Sequence, residues 1–142
     1  MHKITGLVVL SGIICSLVAD AKREAFVYDP ALQQYWQHCE AGMEYTGRTC
    51  QGSVLALSWQ KALLYCAALS ADKVWRLPTR DELMHYYARY GQKRLHIVNL
   101  YWTSTTDVEH PELAWYLIPE LRWVYTNYKE LDGLVLCVAN SD

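Results

Sequence analysis

The chain has 142 residues, 52% of them hydrophobic and 20% charged, with a formal net charge of −2. That length supports one core and excludes two comfortable ones, and so apolar a chain is not disordered. The near-neutral balance also excludes a nucleic-acid partner, which needs a basic surplus to displace counterions.

Lys3 precedes an apolar stretch from Ile4 to Val18, and Ala19-Asp20-Ala21 offers the small-x-small pattern that signal peptidase cuts after. Residues 1–21 therefore read as a secretory signal peptide, followed by a single domain over 22–142. The apolar run falls short of the roughly 20 residues that span a bilayer, so no transmembrane anchor is expected after cleavage. The expected location is outside the cytoplasm: periplasm, outer surface or medium. Cys15 leaves with the signal, and Cys39, Cys50, Cys66 and Cys137 remain. An even cysteine count in an exported chain reads as two disulfides. Three pairings are possible. The two glycines between Cys39 and Cys50 favour a local bridge there, which leaves Cys66 to reach Cys137. Zinc is the competing use, but no C-x-x-C or H-x-x-x-H spacing supports it.

Along the mature chain, Phe26-Val27-Tyr28 reads as a short strand closed by Asp29-Pro30. The segment Leu32–Cys39 admits two readings: a helix capped by Asp29, or a strand carrying Tyr35 and Trp36. Ser58 caps a predicted helix in which Trp59, Ala62, Leu63, Cys66 and Ala67 share one stripe. Thr79 and Glu82 form a capping box for a second helix over Arg80–Tyr90, with Gly91 as its stop. Four strands are predicted beyond it: Leu100–Thr106, Leu113–Ile118, Leu121–Thr126 and Leu134–Ala139. Helices followed by clustered strands define an α+β class with an antiparallel sheet.

The runs Trp36-x-x-Cys39, Gly42, Gly47-x-x-Cys50-x-Gly52 and Ser58-Trp59-x-x-Ala62 form an ordered pattern. Trp75-Arg76-Leu77-Pro78-Thr79 with Glu82-Leu83, Tyr101-Trp102-Thr103-Ser104-Thr105, Ala114-Trp115 and Cys137-Val138 continue it. Over Val27–Ala139 the chain resembles the exported bacterial Lcl C-terminal-domain-like proteins. The resemblance implies a C-type-lectin-like fold, with two helices flanking a twisted antiparallel sheet and a disulfide from the first helix to the last strand. Cys66–Cys137 fits that bridge, and Cys39–Cys50 fits a hairpin bridge. With the resemblance, Leu32–Cys39 tips toward strand. Trp115 to Tyr128 falls where lectin-like folds carry their long loops.

Catalysis is not expected, nor is a cofactor or a metal. A lectin-type calcium site needs about 6–8 oxygen ligands. Asp107, Glu109 and Glu112 surround Pro111, but no Glu-Pro-Asn or Trp-Asn-Asp run accompanies them, so they read as a solvated acidic loop. His38, His85, His96 and His110 show no converging spacing and read as surface residues. Ser104 lacks a nucleophile elbow, and oxidised cysteines leave no thiol nucleophile.

Binding surfaces remain. Residues 72–94 carry Lys73, Arg76, Arg80, Arg89, Lys93 and Arg94 against three acids, whereas the chain beyond them is acidic. Tyr87, Arg89, Lys93 and Arg94 are candidate contacts for an anionic glycan, with Arg76 and Arg80 competing as structural ion-pair partners. The 6 Trp and 11 Tyr against one Phe also favour contact surfaces, because these rings join apolar area to a polar tip. Trp123, Tyr125 and Tyr128 form the second candidate surface. The expected function is a non-catalytic, adhesin-like binding module for a glycan or protein surface. The alternative is a subunit of an envelope, pilus or secretion assembly.

Overall fold

The computed structural model describes residues 25–95 and 99–141, with residues 92–94 as helix backbone only. The predicted signal peptide lies outside these residues. Four short strands come first: β1 (Phe26–Asp29), β2 (Gln34–Gln37), β3 (Met43–Tyr45) and β4 (Cys50–Gly52). Helices α1 (Trp59–Ala67) and α2 (Arg80–Arg94) follow. The chain then forms β5 (Tyr101–Thr106), β6 (Leu113–Ile118), β7 (Trp123–Tyr128) and β8 (Val138–Asn140). The strands make three sheets, ordered β1-β2-β8, β3-β4 and β5-β6-β7, and every pairing is antiparallel. This is an α+β domain.

Local chemistry explains how it starts. Asp29 is fully buried, and its Oδ1 accepts the backbone N–H groups of Ala31 at 2.9 Å and Leu32 at 3.4 Å. It caps a turn rather than a helix, so the following residues return as β2 beside β1. The strand reading of this segment holds. The loop behind β2 turns at Gly42, whose φ is +90° and where a Cβ would strike Ser53 and Leu55. Cys39–Cys50 closes this hairpin region, and Cys66–Cys137 ties α1 to the segment leading into β8.

Two apolar clusters lie on opposite faces of β5-β6-β7. On one face Trp102 and Ala114 pack with Ala62 and Cys66 of α1, and with Trp75, Leu77, Val135 and Cys137. On the other, Tyr101 and Leu117 pack with Leu83 and Tyr86 of α2, and with Trp36 and Leu136. The alternation of β6 thus serves both helices, as a sheet covered on two sides requires.

Three element boundaries differ from expectation. Helix α2 does not stop at Gly91; it continues to Arg94. Gly91 is buried inside the helix, and a Cβ there would fall within the Tyr87 ring, so this glycine makes room instead of ending a helix. Strand β7 begins two residues later than predicted, because Arg122 adopts a left-handed φ of 53° and its N–H bonds Pro119 O at 3.1 Å in the turn. Finally, only the end of Leu134–Ala139 pairs as a strand. Residues 134–137 are buried and bond successively to Leu100, Ala41 and Gln37, changing partner too often to form a ladder. Along α1, Ala67 is exposed and falls off the predicted buried stripe.

Candidate functional site

The basic segment divides into residues that hold the fold and residues left at the surface. Arg76 exchanges backbone hydrogen bonds with Val138, each 2.9 Å long. Its guanidinium then forks onto Glu82, with Nη1–Oε1 at 2.8 Å and Nη2–Oε2 at 2.9 Å, and Nη2 also donates to Asn140 at 2.9 Å. Glu82 Oε1 accepts the Thr79 N–H at 2.8 Å while Thr79 Oγ1 accepts the Glu82 N–H at 3.2 Å, completing the capping box. Gln34 Nε2 donates to both Glu82 and Asn140. Burial pushes the Glu82 carboxyl up, but the bonds from Arg76, Thr79 and Gln34 outweigh it and hold it at about 2. The hydrogen bond to Glu82 likewise raises the Arg76 guanidinium. The Trp-Arg-Leu-Pro-Thr-x-x-Glu-Leu block is therefore a latch between β2, β8 and the start of α2. Arg80 is also engaged: its N–H bonds Thr105 Oγ1 at 3.0 Å and its guanidinium lies 4.8 Å from the Trp115 ring.

The predicted contact residues of α2 divide in the same way. Tyr87 is half-buried, and its hydroxyl donates to Pro119 O at 3.0 Å. Arg89 is exposed but lies 3.9 Å from the buried Asp29 carboxylate. His85, expected at the surface, keeps 40% of its side chain exposed while its Nε2 lies 3.6 Å from Asp29 Oδ2. Its Nε2 turns toward Asp29, which stands at the end of β1. The side chains of Lys93 and Arg94 lie outside the described residues, as does His96. Of this patch, the described side chains of Tyr87 and Arg89 are both drawn toward neighbours within the fold.

Strand β7 does present its predicted residues. Trp123, Tyr125 and Tyr128 are 61%, 42% and 59% exposed. They stand on a regular strand, not on the long loop that the resemblance placed there. Val124 packs toward α2, which sends Trp123 and Tyr125 to the opposite face. Tyr125 pairs with Tyr116 across the ladder, with ring centroids 6.3 Å apart, and Tyr116 meets Trp102 at 6.1 Å. Burial, with a contribution from Tyr125, raises the Tyr116 phenol. A row of rings therefore leaves the core at Trp102 and ends in solvent at Tyr125.

The acidic loop is used locally. Asp107 Oδ1 accepts the N–H groups of Glu109 and His110, both at 2.9 Å, and His110 Nδ1 lies 3.8 Å from Glu112. Among the described residues, no group of three or more His, Cys, Asp or Glu is placed to hold a metal ion. Sequence reasoning missed one concavity, a groove of about 740 Å³ lined by Phe26, Tyr35, Leu69, Ser70, Asp72 and Lys73. In it the Lys73 ammonium lies 4.4 Å from the Tyr35 ring centre. The only sequence signal for it is the polar run Ser70-Ala71-Asp72-Lys73 between α1 and the latch.

The fold and surface define a small α+β domain stapled by two disulfides, a construction that fits an exported protein. Among the described residues no helix is long and apolar enough to cross a membrane. Residues 25–139 match the Lcl C-terminal domain family, and the chain belongs to that family. No curated protein matches it.

Proposed function

We propose that the chain is a non-catalytic, exported binding module that recognises a protein surface or a glycan through the exposed aromatic residues of β7. One observation carries this reading: Trp123, Tyr125 and Tyr128 are left out of the core on one strand while nearly every other tryptophan is packed. Each such ring contributes roughly 2 kcal/mol when a partner buries it, and Trp and Tyr dominate the energetics of contact surfaces. The four described cysteines are all bridged, so none supplies a thiol nucleophile.

The test is retention. Immobilised protein with both disulfides intact is offered a glycan array and extracts of bacterial envelope and host surface. Saturable capture of a glycan or a protein supports the reading; capture of nothing by the folded protein overturns it. A second reading, a subunit of an envelope, pilus or secretion assembly, is favoured by the absence of any charged residue in β7, since a permanently covered edge needs no protecting charge. Copurification with one partner at fixed stoichiometry selects it.

A further inference from the structure

We infer that two copies of this chain join edge to edge through β7, in antiparallel register about Tyr125, to form one continuous sheet. Lys129 N–H donates to Glu112 O at 3.1 Å, just beyond the Leu113↔Tyr128 pair. Antiparallel ladders alternate, so Trp123, Tyr125 and Asn127 turn their N–H and C=O groups toward β6, and Val124, Thr126 and Tyr128 turn theirs outward. Tyr128 is already occupied: its N–H donates to Asn127 Oδ1 at 2.9 Å and its C=O accepts Leu131 N–H at 3.1 Å. Among the described residues, Val124 and Thr126 are left as the open hydrogen-bonding positions of an edge that no described strand covers.

Strands manage such edges with charge, proline, bulges or brevity. Trp-Val-Tyr-Thr-Asn-Tyr has six residues, no charge, no proline, and an unbroken register with β6. The two open positions also select the occupant. A second β7 running antiparallel, with Val124 opposite Thr126 and Thr126 opposite Val124, uses the open groups of both copies and needs neither Tyr128. That register places Tyr125 opposite Tyr125 on a two-fold axis, in the close, non-hydrogen-bonded type of pair. It opposes no like charges, and its strand overlap stays within Trp123–Asn127, clear of the Arg122 turn.

The side chains support the same register. The row Trp102, Tyr116, Tyr125 crosses the sheet at paired positions and stops at this edge. The two-fold operation continues it through the second Tyr125, Tyr116 and Trp102, joining two three-stranded sheets into one of six strands. The face that carries Trp123 and Tyr125 is then displayed twice on one surface, which gives a multivalent ligand two linked contacts. This inference goes beyond the binding reading and fails separately from it. A monomer that still captures a ligand refutes the pairing and leaves the binding reading intact.

Sedimentation of the purified exported chain, over a range of concentrations, is expected to show a reversible monomer–dimer equilibrium. Thr126→Pro removes an outward N–H without touching the β6 ladder, because proline is tolerated where a strand's N–H faces solvent. It is expected to weaken the dimer at least roughly tenfold. Cysteine substitution reads the register even if the proline variant folds poorly. Tyr125→Cys is expected to form an intermolecular disulfide under mild oxidation. Trp123→Cys is not, since its two copies stand about 14 Å apart along the paired strands. Random collision gives the opposite order, because Trp123 is 61% exposed against 42% for Tyr125. A chain that stays monomeric at its highest soluble concentration overturns the inference. So does cross-linking at position 123 that equals or exceeds that at 125.

Discussion

Trp36 and Trp123 both stand on short antiparallel strands, yet one is fully buried and the other is 61% exposed. Trp36 lies on the middle strand of β1-β2-β8 and stacks on Tyr86 of α2 with ring centroids 4.3 Å apart. Trp123 lies on the outer strand of β5-β6-β7, opposite Ile118, with no strand beyond it among the described residues. Around Trp36 the molecule invests its strongest interactions: the Arg76–Glu82 fork, the capping box and the Cys66–Cys137 bridge. Among the described residues, Trp123 has neither a charged fork nor a covalent tie beside it. The difference teaches that one residue type serves scaffold or contact according to strand position. A middle strand is covered on both edges; an edge strand keeps rings and backbone groups available.

Five changes bear on that contrast, beginning with the largest expected effect. Cys66→Ser opens a bridge spanning 71 residues and is expected to lower unfolding free energy by about 4 kcal/mol, against about 3 kcal/mol for the bridge spanning 11 residues lost in Cys39→Ser. Denaturant titration measures both, and a reversed order breaks the assignment of the latch side as the stronger half.

Glu82→Gln is expected to cost about 2 kcal/mol at neutral pH by leaving Arg76 without its charged partner. Its pH dependence is a sharper test. The folded carboxyl sits at about 2, below its ordinary 4.5, so its contribution is whole above pH 4.5 and is lost as pH falls through about 2. The variant should show a flatter stability curve across that window; an unchanged acid limb contradicts the latch.

Gly91→Ala comes next. Helix propensity alone predicts a gain of about 1 kcal/mol, but the added Cβ must displace the Tyr87 ring, so a loss of about 1–2 kcal/mol is expected. Thermal unfolding gives the sign. The smallest effect is Trp123→Ala, expected to move stability by no more than about 0.5 kcal/mol. A larger loss would place Trp123 on the scaffold side and erase the contrast.

What sequence reasoning reached, and where it stopped, follows the same division. The capping box at Thr79 and Glu82, the stripe of Ala62 and Cys66, and the short Cys39–Cys50 bridge were legible because local rules favour them, whereas Cys66–Cys137 followed as the pair left over and from the family resemblance. Gly91 was misread as a stop because nothing local reports that a ring four residues earlier lies over it. Leu134–Ala139 looked like a strand because apolar β-formers announce burial, not partners, and its partners come from three separate segments. The contact of His85 with Asp29 was not legible because the two are distant in sequence. Of the candidate contacts, Trp123, Tyr125 and Tyr128 stand at the surface, while Tyr87 reaches Pro119 and Arg89 lies near Asp29. Patterning named the rings; only topology tells that β7 is an edge.

The most direct test of that division is to replace Trp123, Tyr125 and Tyr128 together by alanine. Ligand capture and unfolding free energy are then measured on one preparation with both disulfides verified by mass. The account predicts that capture falls at least about tenfold per ring while the unfolding midpoint barely moves. Undiminished capture by the folded triple variant would contradict it.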